Sequence, residues 1–372
     1  MVWSPAKPYN DLPLLPPTAE YETKAVLRLA IRARASLSAL DQAAKRMPNP
    51  LVLVNSLSLL EAQASSEIEN IVTTTDDLFR FAQDPSDAAS PETKETLRYR
   101  TALFAGTESI KRRPISITTA VEVCSLIHRR EMNVRTLPGT YIGNPATREP
   151  IYTPPSGESV IRHKLSNWAE FIHTRADIDP LIVMALAHYQ FEAIHPFEDG
   201  NGRTGRILNV LQLVAADLLN SPILYLSRFI IQNKDEYYRR LLEVTSQGAW
   251  EEWIAFILRG LQETADRTLQ KIDRIQDLQA AMRAEIRAST TAGSNADLLD
   301  VLFENPYARI NDVVQRCGVS RPTATSWLNG LVAAGALDDI KIGRDRLFIN
   351  TRFMRMLATD EPIADDGDET LF

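Results

Sequence analysis

The chain has 372 residues and a formal net charge of −7, and this acidic balance argues against a protein whose main task is to coat nucleic acid. Its length is sufficient for roughly two or three domains, and no stretch approaches the ~18 apolar residues of a membrane span. The two cysteines, Cys124 and Cys317, lie far apart and lack metal-ligand spacing. We therefore predict a mainly α, cytoplasmic protein that does not enter a membrane.

The N-terminal region begins with an extended arm and continues as two helices. Residues 1–18 are rich in proline, which favours an extended segment laid on a surface. Apolar residues at three- and four-residue steps predict a helix over 19–45 and a second over about 51–72. Within the second helix, Ser65 and Glu69 are one turn apart and therefore share a face. Taken alone, these two residues indicate only a helix with polar positions.

Two further helices and a strand-like stretch follow. The helices are predicted at about 91–109 and 117–130. Residues 141–153 then contain the breaker Gly143-Asn144-Pro145 and a short apolar run, which together indicate a hairpin with an unpaired edge. From the sequence alone this stretch is equally well explained as an ordinary surface hairpin.

The most informative stretch is a twelve-residue loop between two predicted helices, 181–194 and 203–219. The first of these helices is apolar nearly all the way round, which is typical of a buried central helix. It ends at His195, because the residue before a proline is pushed out of the α region. The loop reads His195-Pro196-Phe197-Glu198-Asp199-Gly200-Asn201-Gly202-Arg203-Thr204-Gly205-Arg206.

The second half of this loop has the composition of an anion-binding site. Gly200 and Gly202 flank Asn201 at a helix start, where backbone N–H groups converge and the helix dipole favours negative charge. Arg203 and Arg206 are three residues apart on the first turn, so both guanidinium groups can add donors to phosphate oxygens. In isolation the glycines would indicate a turn and the arginines a solvated face.

Two ionisable residues complete the set. Asp199 would repel a phosphate unless it held Mg²⁺, a cation that takes carboxylate and phosphate oxygens together. His195 has an ordinary pKa suited to removing a proton near neutral pH. A nest, a metal-binding carboxylate, two guanidinium groups and a base are the groups required for nucleotidyl or phosphoryl transfer.

The loop matches the signature H-P-F-x-(D/E)-G-N-G-R-x-x-R and therefore resembles the Fic-domain family. The resemblance implies a helical Fic-type core with a small β-hairpin flap. It also implies transfer of AMP from ATP to a Ser, Thr or Tyr hydroxyl of a target protein, with release of pyrophosphate. His195 would be the base and Asp199 the Mg²⁺ ligand. The nucleotide would be bound by Gly200, Asn201, Gly202, Arg203, Thr204, Gly205 and Arg206.

The same resemblance implies an inhibitory helix. Ser65 to Asn70 match the family's inhibitory motif (S/T)-x-x-x-E-(G/N), which here precedes the core. Glu69 would pair with Arg206 and occupy the place of the γ-phosphate, so that ATP binds in a pose whose α-phosphate is not in line for attack.

Two further sets of residues gain roles from the resemblance. The hairpin resembles the family's flap, which holds a target segment by strand addition, and Ile151 and Tyr152 are the candidates for target contact. Tyr237 is a candidate surface for stacking of the adenine base. For Tyr237 and Tyr238 a position in an aromatic core is the alternative explanation.

The C-terminal part begins with a long helix, predicted over 250–288, whose apolar stripe needs a partner in the core or in a dimer. Three helical runs and a strand–turn–strand then resemble a winged helix-turn-helix domain. Between Asn295 and Arg355 there are eight basic and seven acidic residues, so DNA binding is left open but not favoured.

These observations divide the chain into five regions. They are an N-terminal helical region (1–110), a catalytic core (111–250), a connecting helix (251–290), a winged helix-turn-helix domain (295–355) and an acidic tail (356–372). The expected partners are a target protein, the chain itself as a substrate, and a second copy in a homodimer.

Two other functions remain open at this stage. In the first, the same site removes AMP from a modified target, with Glu69 positioning water. In the second, the winged domain acts as a transcriptional regulator and the nucleotide site only senses ATP. The presence of His195 argues against the regulator, because ligand sensing does not need a general base.

Overall fold

The computed structural model describes residues 3–82, 89–143, 147, 149–293, 295–342 and 345–359. Within them the chain is mostly helical with two small antiparallel sheets, as predicted, and no helix there is long and apolar enough to cross a membrane. The helices are α1 (Lys24–Lys45), α2 (Leu51–Ile68), α3 (Thr75–Phe81), α4 (Pro91–Ile110), α5 (Ile117–His128), α6 (Glu158–Thr174), α7 (Pro180–Ile194), α8 (Asn201–Ala215), α9 (Leu226–Gln232), α10 (Lys234–Gln247), α11 (Trp250–Ser289), α12 (Ala296–Glu304), α13 (Ile310–Cys317), α14 (Arg321–Ala333) and α15 (Thr351–Ala358). The strands are β1 (Ile142–Gly143), β2 (Pro150–Tyr152), β3 (Tyr307–Arg309), β4 (Asp338–Ile342) and β5 (Asp345–Ile349).

Helix α7 lies at the centre of the fold, packed between α6, α8 and α11. Its N-cap Asp179 accepts a hydrogen bond from the backbone N–H of Leu181 at 2.8 Å, and Pro180 fills the first turn, where its missing N–H costs nothing. Every residue of the helix except Pro180 and Glu192 is buried. The helix ends at His195, whose left-handed φ of 49° turns the chain into the loop.

Helix α8 begins at Asn201, earlier than the predicted residue 203. Its N-cap, Gly200, has a φ of 81°, a conformation that favours glycine, and a Cβ at this position would lie 2.4 Å from Nε2 of His128. The early start places the N–H groups of Asn201, Gly202 and Arg203 in the first turn, where a helix leaves its N–H groups without backbone partners.

Helix α2 packs against α4, α8, α9 and α12. A buried carboxylate fixes it there: Glu61 accepts hydrogen bonds from the hydroxyl of Tyr99 at 3.0 Å and from the backbone N–H of Ser227 at 2.9 Å. The helix ends at Ile68, short of the predicted residue 72, and Glu69 is its C-cap. Ser65 and Glu69 therefore lie at the end of a firmly packed helix.

The long helix α11 finds its partner within the chain. It packs along α1 and also contacts α7, α9 and α10, and its apolar stripe is buried. The need for a second copy to cover this stripe therefore disappears. The homodimer remains a prediction, and the apolar stripe of α11 no longer supports it.

The predicted hairpin is present, with β1 and β2 paired antiparallel, and we call residues 142–152 the flap. Residues 3–22, the N-terminal arm, lie across α6 and the end of the flap. The backbone N–H of Tyr9 donates to the carbonyl of Thr153 at 3.0 Å, and the backbone of Leu15 exchanges two hydrogen bonds with the amide of Asn167 at 2.8 and 2.9 Å. The breaker residues Asn144 and Pro145 lie outside the described residues.

The C-terminal unit combines α12, α13 and α14 with a three-stranded sheet of order β3-β5-β4, and it adds α15. It docks on the N-terminal region, where the amide of Asn305 donates to the carbonyl of Phe79 at 3.1 Å. The predicted start of the tail at residue 356 is wrong, because α15 continues to Ala358 and buries Phe353 against the unit. Residues 360–372 lie outside the described residues.

Candidate active site

The loop between α7 and α8 is held in shape by one side chain. Oδ1 of Asn201 accepts from the backbone N–H of Phe197 at 2.8 Å, and Nδ2 donates to the carbonyl of the same residue at 2.9 Å. Asn201 is 2% exposed, and these two bonds direct its amide back onto the loop backbone. Its contribution to anion binding is therefore limited to its backbone N–H, while its side chain keeps the loop rigid.

His195 lies where α7 ends and the loop begins. Its Nδ1 is buried, so Nε2 is the ring nitrogen that can reach a substrate. Burial and the positive charge of Arg135 lower the pKa of His195 to about 4, against the opposing carboxylates of Glu69 and Asp199. The imidazole is therefore neutral at pH 7 and able to accept a proton.

Asp199 presents an exposed carboxylate beside the start of α8, with its side chain 66% exposed. Oδ1 accepts from the backbone N–H of Gly200 at 2.6 Å. The described residues contain no group of three or more His, Cys, Asp or Glu side chains that could enclose a metal ion. A single carboxylate at a phosphate site nevertheless fits Mg²⁺, because this cation is commonly held by one or two carboxylates together with substrate phosphates and water.

Arg206 is bound to the end of α2 by three hydrogen bonds. Nε donates to Oγ of Ser65 at 2.8 Å, and Nη2 donates to the Ser65 carbonyl at 2.8 Å and to Oε1 of Glu69 at 2.9 Å. The Arg206 side chain is 2% exposed and that of Glu69 is 35% exposed. Burial alone would lower the pKa of Arg206, but Glu69 and the neighbouring Tyr237 raise it above its ordinary value. This guanidinium is charged and already paired with a carboxylate.

The Glu69 carboxylate also lies over the first turn of α8. A Cβ built on Gly202 would lie 2.3 Å from Oε1 of Glu69 and 2.8 Å from Nη1 of Arg206. Only a residue without a side chain leaves room here for an acidic group to approach the helix start. Glu69 therefore sits at the N–H groups and the guanidinium that an anion would use.

Arg203 points to a different neighbour. It is hydrogen-bonded to Glu95 of α4 and lies 3.8 Å from Oδ1 of Asp199. Its side chain is 3% exposed, so it is held between the two acidic groups. The two arginines of the loop are thus fixed by different helices, Arg206 by α2 and Arg203 by α4.

Three protein-family models match successive parts of the chain. Residues 27–108 match the N-terminal model of the Fic/DOC family, residues 118–213 match the Fic/DOC family itself, and residues 278–353 match the C-terminal domain of SoFic-like protein adenylyltransferases. The chain belongs to the Fic/DOC family. A relative from Drosophila virilis called protein adenylyltransferase Fic is 30% identical over 112 residues, which is 30% of this chain and 21% of the relative. The match thus spans about a fifth of that curated relative.

Solved structures of Fic proteins share the fold. A Fic family protein from Desulfovibrio desulfuricans superposes with a TM-score of 0.53 at 20% identity, covering 88% of this chain and 96% of that one. A Fic domain containing signaling protein from Bacteroides thetaiotaomicron gives a TM-score of 0.50 at 18% identity, covering 67% and 95%.

Two loop residues of this Fic protein do not face the nucleotide side. Thr204 is completely buried. At Gly205 a Cβ would lie 2.2 Å from Oε1 of Glu192 and 3.2 Å from the ring of Phe191, so this glycine allows α8 to pack closely on α7. The helical period turns both residues toward the core while Gly202 and Arg206 share the other face, and nucleotide contact by Thr204 and Gly205 stays a prediction.

The residue predicted to stack on the adenine base, Tyr237, does not lie at the surface. Tyr237 is 2% exposed, hydrogen-bonded through its hydroxyl to Nε2 of His188 at 3.0 Å and packed against Trp253. It belongs to the aromatic core. Its neighbour Tyr238 is 43% exposed and is the ring of the pair that a ligand can reach.

The two flap residues differ in the same way. Ile151 is 42% exposed and free for contact with a target. Tyr152 is 7% exposed and donates from its hydroxyl to the carbonyl of Ala193 at 2.8 Å. Alternate residues of a strand point to opposite faces and the Tyr152 side chain faces the core, so target contact by Tyr152 stays a prediction for its backbone alone.

Three residues near the site were missed by the sequence analysis: Arg135, Glu95 and Glu192. Glu192 is the residue that a closer reading could have found, since it is the one charged side chain in the otherwise apolar helix α7. Its Oε1 is buried without a hydrogen-bond partner in the described structure, and burial raises the pKa of Glu192 to about 7. Nothing in the local sequence distinguishes Arg135 or Glu95.

Proposed function

We propose that this chain is a protein adenylyltransferase, which transfers AMP from ATP to a hydroxyl side chain of a target protein and is restrained by its own Glu69. The observation that carries the proposal is the triple contact of Arg206 with Ser65 and Glu69 at the start of α8, one loop away from His195. A glycine-lined helix start and a buried guanidinium suit a triphosphate. A carboxylate in the same place suits a restraint.

The chemistry follows from the positions of the side chains. Nε2 of neutral His195 takes the proton of the target's Ser, Thr or Tyr hydroxyl. The hydroxyl oxygen forms a bond to the α-phosphorus of ATP, and the bond to the bridging oxygen breaks, releasing pyrophosphate. The first-turn N–H groups of α8 and Arg206 stabilise the charge on the phosphates. Asp199 would hold Mg²⁺, which neutralises phosphate charge when bound.

The restraint follows from competition for one guanidinium. While Nη2 of Arg206 donates to Glu69, it is not available to a γ-phosphate, and the carboxylate repels that phosphate. ATP then binds in a pose in which the α-phosphorus is not in line with the attacking oxygen. Removal of the Glu69 side chain frees the donor and the space above Gly202.

The test is intact-mass and peptide mass spectrometry of the purified protein incubated with Mg²⁺ and each nucleoside triphosphate in turn. Glu69→Gly should add a mass of one AMP to the protein or to an added target with ATP, and Glu69→Gly/His195→Ala should not. Glu67→Gly, at an exposed position in the same helix end, is the matched control and should behave as the parent. Equal labelling with and without His195 would contradict the proposal.

One feature of Glu69 supports the reverse reaction, which is removal of AMP from a modified target. Among the described residues only Oε1 of its carboxylate is hydrogen-bonded, and the side chain is one-third exposed, so Oε2 can orient a water molecule. Water in place of the hydroxyl would remove AMP from a modified target. Incubation of the parent and of Glu69→Gly with a target already carrying AMP separates the two directions: removal requires Glu69, and addition does not.

A further inference from the structure

A cleft of about 420 Å³ opens beside the active loop, between the N-terminal arm and the flap. The arm contributes Ala6 and Pro8, and the flap side contributes Tyr141 and Pro150. Arg135 lines the same cleft. The cleft is therefore bounded by three separate segments of the chain.

Arg135 joins this cleft to the proposed base. Its backbone N–H donates to the carbonyl of Pro196 at 2.9 Å, and its Nε donates to the carbonyl of His195 at 2.8 Å. Nη2 donates to the carbonyls of Ile194, at 3.3 Å, and of Pro155. The guanidinium therefore holds the end of α7 against the chain that leaves the flap.

The two N–H groups of Nη1 of Arg135 have no hydrogen-bond partner in the part of the chain that the structure describes. Nη1 donates to none of the described residues, although the residue is only 3% exposed. Burial lowers its pKa, and among the described residues the one ionisable group that opposes this effect is the phenol of Tyr152, which is neutral at pH 7. Among the described residues this mostly buried guanidinium is bonded only to carbonyl groups and has no counter-charge, and leaving a charge uncompensated in such a place is costly.

The surroundings suit an extended polypeptide. Tyr141, which lines the cleft, is 50% exposed, and Ile142 and Ile151 of the neighbouring flap are 36% and 42% exposed. The short strands of the flap favour a neighbour in extended conformation. An extended chain advances by roughly 3.3 Å per residue, so a side chain over Arg135 belongs to a residue only a few positions from one at His195.

We propose that this cleft binds the target segment that carries the acceptor hydroxyl, and that Nη1 of Arg135 pairs with an Asp or Glu side chain a few residues away from that hydroxyl. The proposal rests on the proposed function and adds a substrate class, namely hydroxyl side chains with an acidic neighbour. Arg135 is thus a residue that determines specificity in addition to positioning the His195 turn.

The test uses Glu69→Gly enzyme with Mg²⁺ and ATP and a set of acetylated, amidated peptides. Each peptide has one central Tyr, Thr or Ser among uncharged residues, and a single Glu or its isostere Gln is moved through the positions on either side. A charge-assisted hydrogen bond predicts that Glu at one or two positions raises kcat/KM over Gln about tenfold. In Glu69→Gly/Arg135→Gln this Glu/Gln ratio should fall to about one.

The Glu/Gln ratio of kcat/KM separates recognition of the acidic side chain from positioning of His195. Any displacement of His195 caused by Arg135→Gln slows the Glu and Gln peptides equally and cancels. Arg130→Gln, at an exposed arginine after α5, is the matched control and should keep the tenfold preference. A ratio near one with Arg135 intact, or a preference that survives Arg135→Gln, would overturn the proposal.

Two remaining outcomes separate failure of this proposal from failure of the proposed function. If no peptide is modified while Glu69→Gly still labels itself with AMP, an extended segment in the cleft is not what the enzyme recognises, and the proposal fails while the proposed function stands. If neither peptides nor the enzyme are labelled, the proposed function fails and the acidic-neighbour proposal fails with it.

Discussion

Replacing Glu69 by Gln removes one negative charge from the site while keeping the length and shape of the side chain. The affected contact is a charge-assisted hydrogen bond of 2.9 Å to a guanidinium that is 2% exposed, and Gln keeps the acceptor oxygen but loses the negative charge. Such bonds contribute about 1.5–3 kcal/mol. Because the Glu69 side chain is 35% exposed and partly screened by solvent, we take the lower half of this range, about 1.5–2 kcal/mol. That free energy corresponds to roughly 10- to 30-fold in access of a γ-phosphate to Arg206.

The assay is the initial rate of AMP incorporation at several concentrations of ATP below saturation, with target or self-modification as the readout. Glu69→Gln should raise the rate by about 10- to 30-fold, and Glu69→Gly by at least as much, because it also clears the space over Gly202. Glu67→Gln is the control for a charge change at the same helix end and should leave the rate unchanged.

The pattern of results decides between mechanisms. A rise with Glu69→Gly and none with Glu69→Gln would mean that the side chain blocks by its bulk, and the argument from charge pairing would be refuted. No rise with either variant would refute the restraint altogether. Thermal unfolding of each variant excludes a loss of folded protein as the cause of a low rate.

Three further predictions concern neighbouring residues. The native pKa of Glu192, raised from 4.5 to about 7, means that the folded state binds more protons than the unfolded state between these values, so its contribution to stability falls as pH rises across the window. Glu192→Gln should therefore gain stability relative to the parent between pH 5 and pH 8, by up to about 3 kcal/mol in urea unfolding, and an equal difference at both pH values would contradict this. Tyr238→Ala should weaken ATP binding severalfold in calorimetry with little effect on Tm, whereas Tyr237→Ala should lower Tm by several degrees; the reverse result would reject the assignment of the exposed ring. Asp199→Asn should raise the Mg²⁺ concentration for half-maximal transfer on the order of tenfold, and an unchanged Mg²⁺ dependence would remove Asp199 as a ligand.

The local features of the active loop were predictable from the sequence because they depend on residues close together in the chain. The proline after His195 fixes the end of α7, and Gly200 marks the helix start, although α8 begins two residues before the predicted position. The pairing of Glu69 with Arg206 was predicted from a resemblance, since no local rule brings together two residues separated by 137 positions.

Side-chain direction was the weakest part of the sequence analysis. Tyr237 and Tyr238 are adjacent in a helix, and only the packing of α10 against α11 decides which of the two rings is buried. Tyr152 and Ile151 are adjacent in a strand, and the docking of the flap on α7 decides between them. Periodicity predicts that such neighbours differ but does not say which one faces the core.

Residues whose role depends on backbone carbonyls were not predictable at all. Arg135 lies in a short connection after α5, and its partners are carbonyl groups of Pro155, Ile194 and His195, which any sequence would supply. Side-chain identity at the partner positions therefore contains no information about the contact. Such a residue becomes visible only when the loop and the flap are placed next to each other.

The most direct test is a crystal structure of Glu69→Gly with Mg²⁺ and a non-hydrolysable ATP analogue, compared with the parent under the same conditions. We predict that Arg206 contacts the γ-phosphate in the variant, with Nε2 of His195 facing the α-phosphorus, and that in the parent Arg206 stays on Glu69 with the α-phosphate turned away. A variant in which the γ-phosphate lies away from Arg206, or a parent with an intact Glu69 contact and an in-line α-phosphate, would contradict the account.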